Sequence, residues 1–153
     1  MWVIEFLHVL MGILWIGLLY FFNLIQVQSM PKMVEEKAAK PYTQIILPKA
    51  LWYFRWSALL TVITGILYYI IGRQNGLQGI PSSSIMVGMT LGIIMAINVW
   101  AIIWPNQKKI IAGELEGDAL AKAKRTAFLA SRTNAWLSLP MLACMIAANH
   151  GVF

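Results

Sequence analysis

Charge is what this sequence most lacks. Of its 153 residues, 12% are Asp, Glu, Lys or Arg, while 59% are hydrophobic. A soluble domain of this length needs far more polar surface, so composition excludes that class and points to a membrane protein. Cysteine is nearly absent as well. Cys144 stands alone, which excludes a disulfide framework, a C-x-x-C metal or redox pair, and the C-x-x-C-H attachment of a covalent haem. The N-terminus carries neither a basic n-region nor a small-residue cleavage site, and its apolar run is too long for a signal peptide; Met1 onward reads as mature protein.

Four apolar runs remain, about 2–25, 51–71, 85–104 and 127–149, each long enough for a hydrocarbon core of roughly 30 Å at about 1.5 Å per residue. The expected fold is all-α, an integral membrane antiparallel four-helix bundle in a single domain. Residues 26–50, with Pro31, Pro41 and Pro48, read as a polar loop holding one or two short surface helices, and Pro105 as the end of the third span. Gly88 and Gly92 have the small-residue spacing that lets membrane helices approach. Pro140 is expected to kink the fourth span, and Asp118 to cap the helix leading into it.

The net charge of +6 would indicate nucleic acid in a soluble protein. Here the basic residues sit between apolar runs and face lipid headgroups instead. Of the 12 Lys and Arg residues only Arg73 falls in the second connection; the others flank the first and third. The positive-inside rule therefore puts both polar loops in the cytoplasm and both termini outside.

Histidine occurs twice. His8 interrupts the first span and His150 lies at the end of the fourth. Titratable rings at membrane depth are costly and usually functional. Each lies 18 positions beyond the cytoplasmic edge of its helix, taken at Gln26 and Arg132, or about 27 Å along the axis. Two imidazoles at one height on neighbouring helices can supply both axial ligands of a non-covalent haem b. Gly12, Ala143 and Ala147 are the small residues on the two histidine faces that would admit a macrocycle, and Trp15 would pack on it. Met11 and Met145 are alternative ligands; zinc suits two imidazoles poorly. Against all this stands a structural role, in which each ring hydrogen-bonds a carbonyl or headgroup. A second constellation, Asn23, Arg55, Asn98 and Asn134, gathers toward the cytoplasmic ends. It reads either as a polar pocket for a substrate, quinone or second cofactor, or as inter-helix hydrogen bonding with a snorkelling arginine.

Leu7-His8-Val9-Leu10, Gly12-Ile13, Trp15-Ile16-Gly17 and Tyr20-Phe21-Phe22-Asn23 resemble the opening helix of the membrane domain of bacterial cytochrome-c-linked urate oxidases. Asn98-Val99-Trp100 and Trp104-Pro105-Asn106-Gln107-Lys108 resemble its third helix, and Ser131-Arg132-Thr133-Asn134, Ser138-Leu139-Pro140-Met141 and Asn149-His150 a later one. The chain is also similar to small histidine-bearing membrane bundles that include a bacterial protoporphyrinogen oxidase. The resemblance implies a haem-binding, electron-transferring module of the bacterial inner membrane, an oxidoreductase subunit with a cytochrome c partner and a homo-oligomer or larger membrane complex around it. Since this chain contains no cytochrome c motif, urate chemistry by this chain alone is not expected. The competing expectations are an accessory subunit without its own cofactor and, least supported for want of repeats and broken helices, a transporter.

Overall fold

A computed structural model describes residues 1–77 and 82–149. They form four helices: α1 (Trp2–Glu35), α2 (Ala39–Gln74), α3 (Ser83–Ala112) and α4 (Gly117–Asn149). No strand occurs among them. The first three are long and apolar enough to cross a membrane. The fourth also carries the polar residues Asn134 and Ser138. Both are fully buried and bond to neighbouring helices, so their polarity serves packing.

The helices overrun the expected spans. α1 continues ten residues past Ile25, α2 begins at Ala39 rather than 51, α3 passes through Pro105, and α4 starts at Gly117. The polar loop expected over 26–50 shrinks to a turn. A widened turn lies ahead of three of the prolines, whereas Pro140 sits within regular α-helix. π-helical segments occupy Phe21–Gln26, Tyr42–Ile46 and Val99–Ile103, and Pro31, Pro48 and Pro105 follow within five residues. A proline lacks the N–H of the regular ladder and its ring crowds the carbonyl four residues back. The re-phased turn relieves that conflict, and the helix continues.

Each of the first three helices ends in a reversed-hand cap. Ala38 N–H donates to the Met33 carbonyl at 2.7 Å and Lys37 N–H to that of Val34 at 3.1 Å, with Lys37 at φ 58°. Gly76 and Gly113 occupy the same position after α2 and α3 at φ 66° and 68°, where glycine carries no steric penalty. Ser82 caps α3, its hydroxyl accepting from Ile85 N–H.

α1 packs along α2 and α3 along α4, with lighter contacts between α2 and α3 and between α1 and α4 closing the bundle. Gly88 lets α3 approach α4: a Cβ there would lie 3.2 Å from Met145 Cε and 3.3 Å from Cys144 Cβ. The core centres on Trp15, Leu19, Phe54, Met95 and Val99. On either side of it lies a cavity.

Candidate functional site

The outer cavity, about 580 Å³, opens between α1, α2, α3 and α4. His8 lines it, and the ring is fixed rather than free. Its Nδ1 lies 2.8 Å from the Thr61 carbonyl and 3.5 Å from Thr64 Oγ1. A carbonyl can only accept, so Nδ1 carries a proton and donates. In the neutral ring the lone pair therefore sits on Nε2, which has no hydrogen-bond partner among the described residues. A backbone carbonyl that fixes the tautomer and aims the other nitrogen is the usual support of a ligating histidine.

Gly65 makes the space for this arrangement. A Cβ there would lie 2.7 Å from His8 Cε1 and 3.0 Å from Nδ1. Gly12 and Gly92 thin the cavity walls elsewhere: Gly12 would meet only Thr61 Cγ2, at 3.8 Å, and Gly92 nothing within 4 Å. Trp15 lines the inner end at 1% exposure, with its Nε1 buried and unpartnered. Glu5 is the one acid, and no Lys or Arg appears, among the described lining residues. The wall thus offers one imidazole nitrogen, one orphaned indole N–H and the sulfurs of Met89, Met141 and Met145, with Glu5, Thr61, Tyr68 and Tyr69 as the other polar residues in a mostly apolar lining. That suits a flat, mostly apolar cofactor with one strong ligand from the protein. No group of three or more His, Cys, Asp or Glu exists among the described residues, so a protein-only metal site of that kind is not built there.

Of the expected site residues, His8, Gly12 and Trp15 come together at this cavity. Ala143 and Ala147 do not: Ala143 is exposed, Ala147 half-buried, and α4 contributes Met141, Leu142, Met145 and Ile146 to the wall instead. Met11 is absent from the wall, whereas Met145 is part of it. His150 lies outside the described residues. Thr61 and Gly65 escaped sequence reasoning. The one available signal was a threonine and a glycine four residues apart on a single face of the second span.

The constellation of Asn23, Arg55, Asn98 and Asn134 divides. Asn98 Nδ2 donates to Asn134 Oδ1 at 2.8 Å and to the Ala130 carbonyl at 2.9 Å, and Asn134 Nδ2 donates to the Met95 carbonyl at 3.0 Å. These two tie α3 to α4. Arg55 lies 3.7 Å over the Trp104 ring, and Trp100 Nε1 donates to the Arg55 carbonyl; with Trp52 and Trp56 they form an aromatic cluster of the kind found at membrane interfaces. Asn23 alone of the four lines a cavity, a second one of about 670 Å³.

No curated protein and no solved structure matches the chain. A family model does. Over residues 79–153, which contain both of the later motifs, the chain matches the family described as urate oxidase N-terminal.

Proposed function

We propose that this protein is a four-span helical bundle of the bacterial inner membrane, with both termini outside, that binds one b-type haem for electron transfer. His8 is one axial ligand and His150 the other. The carrying observation is the fixed His8 ring: Nδ1 is tied to the Thr61 carbonyl and Nε2 is left unpartnered at an apolar cavity. Bound there and held by His8 and His150, haem would supply one-electron chemistry. The chain's own part is to hold the ligating nitrogen in one tautomer, to keep water from the ring through its apolar walls, and to offer the Trp15 N–H to an acceptor at the inner end.

Orientation is supported by the segregation of basic residues onto the first and third connections. Partner binding is supported by the resemblance to cytochrome-c-linked proteins.

A reduced-minus-oxidised visible spectrum of purified protein tests the reading. A low-spin haem b spectrum is expected, lost or converted to a five-coordinate form in His8→Ala and in His150→Ala. A normal spectrum in His150→Ala alone moves the second ligand elsewhere, with Met145, a wall residue, the first candidate. A normal spectrum in both variants refutes the ligand assignment, and no haem in the wild type refutes the function.

A further inference from the structure

The cytoplasmic-side cavity is built by irregular helix. All three π-helical segments border it: Phe22, Asn23 and Gln26 from the first, Thr43 and Gln44 from the second, Ile103 from the third. Relieving three prolines explains why each segment exists; it does not require them to converge on one cavity. π-helical turns recur at functional sites.

A second observation is independent of helix geometry. Asn23 is 3% exposed. Its Nδ2 faces the Leu19 carbonyl at 2.9 Å, the Ser131 carbonyl at 3.4 Å and Ser131 Oγ at 2.8 Å. Two carbonyls can only accept, so the amide orientation is set and Oδ1 is the remaining atom. Oδ1 is buried with no partner. Leaving such an acceptor unmet costs about 1–3 kcal/mol, which a ligand with a hydrogen-bond donor recovers. Neighbouring Gln26 is not available for that purpose, because its Oε1 already accepts from the Tyr42 hydroxyl.

We infer that this cavity binds a lipid-soluble hydroquinone, with one phenolic O–H donated to Asn23 Oδ1. The depth selects against a phospholipid. Asn23 lies nine residues, about 13 Å, before Lys32 on α1, so a donor must reach it on an apolar body rather than in a headgroup. The wall is mostly apolar, with Phe22, Leu47 and Leu51 among its residues and Ser131 and Gln26 as polar ones. Lys40 and Lys124 are the charged lining residues and no acid accompanies them, which suits the electron-rich oxygen at the far side of the ring. The oxidised quinone has two carbonyl oxygens and no donor. Oδ1 can only accept, so the site discriminates between the two redox forms.

The test uses full-length protein in lipid nanodiscs, titrated calorimetrically with a decyl-substituted benzohydroquinone and with the corresponding benzoquinone. Empty nanodiscs correct for partitioning. The hydroquinone is added to pre-reduced protein and the quinone to oxidised protein, so that no electron transfer intervenes. The hydroquinone is expected to bind once per chain and at least about tenfold tighter than the quinone. Ala39→Trp, which adds bulk to the wall of this cavity and lies outside the wall that holds His8, should weaken it at least about tenfold. Asn23→Leu should bring the two forms to equal affinity; should that variant fail to insert, the wild-type ratio and Ala39→Trp decide alone. Equal affinity of both forms for the wild type, no binding above empty nanodiscs (Oδ1 then being met by water only), or an unchanged affinity in Ala39→Trp would each overturn the inference. The titration reads no haem signal, so its failure leaves the haem proposal standing, and loss of the haem spectrum leaves this one standing.

Discussion

Gly65→Ala is the most informative single change in the outer cavity, because one added carbon sets two effects against each other. Alanine is better than glycine in a helix interior by about 1 kcal/mol. At Gly12 on α1 the new Cβ would make an ordinary 3.8 Å contact with Thr61 Cγ2, so Gly12→Ala should stabilise the bundle or leave it unchanged. At Gly65 the same atom would sit 2.7 Å from His8 Cε1 and 3.0 Å from Nδ1, inside van der Waals contact. The imidazole must turn away, and in turning it gives up the 2.8 Å bond to the Thr61 carbonyl. Losing that bond costs about 1 kcal/mol and the overpacking about 1–3 kcal/mol more. Set against the helix gain, the net is a loss of roughly 1–3 kcal/mol. A denaturation comparison of Gly65→Ala, Gly12→Ala and the double variant Gly65→Ala/His8→Ala checks this. The double variant removes the obstructing ring, so in that background Gly65→Ala should show the helix gain instead of a loss. Stabilisation by Gly65→Ala with His8 present would refute the assigned packing of the ring against α2. If His8 holds haem as proposed, the haem spectrum of Gly65→Ala should weaken in parallel, since its Nε2 is no longer aimed at the cavity.

The same reasoning gives further outcomes. Asn134→Ala removes two bonds between α3 and α4 and should destabilise the bundle by about 1–3 kcal/mol, read by the same denaturation assay. Reporter fusions after Lys40, Gly79 and Phe153 should read inside, outside and outside; a cytoplasmic reading at Phe153 overturns the proposed orientation. Extraction in mild detergent followed by size analysis should give a protein mass well above one protomer, and an active monomer would count against partner binding.

Helix existence was legible in the sequence because apolar runs are a matter of composition, and composition survives without knowledge of packing. Helix extent was not. Pro31, Pro48 and Pro105 carry a strong stop signal under regular α geometry, and the π-helical turns that circumvent it leave no mark in a one-dimensional pattern. The fourth helix shows the converse. Asn134 and Ser138 are polar positions in an otherwise apolar run, yet both side chains are fully buried. Hydropathy counts what a residue costs in lipid, not what it bonds to.

His8 was legible for an energetic reason, the expense of an ionisable ring at that depth. Its partners were not, since Thr61 and Gly65 meet it only through the register of α1 against α2. Counting back from His150 selected Ala143 and Ala147 as the lining face of α4. The actual wall turns on Met141, Leu142 and Met145, a different side of the same helix. Small residues are a poor guide to a cavity wall, because Gly88 shows the same residue type spent on close packing and Gly92, one turn on, spent on space.

The two cavities differ in how they are made, and the difference bears on what each can do. The outer one is an omission: glycines at 12, 65 and 92 leave space between regular helices, and a single ring is held in that space by one carbonyl. Such a wall changes little when it is filled, which suits a resident cofactor whose ligand must keep one geometry. The inner one is a distortion: three helices are re-phased around it, and it leaves an acceptor on Asn23 unmet. Filling it relieves a cost that is present in the empty state, so occupancy depends on what the ligand can donate. Between them, Trp15, Leu19, Phe54, Met95 and Val99 are packed solid, and the cavities share no lining residue among those described. A change in one therefore reaches the other only through the helices themselves. Single substitutions at Gly65 and Ala39 should then have additive effects, within the few tenths of a kcal/mol that independent sites show.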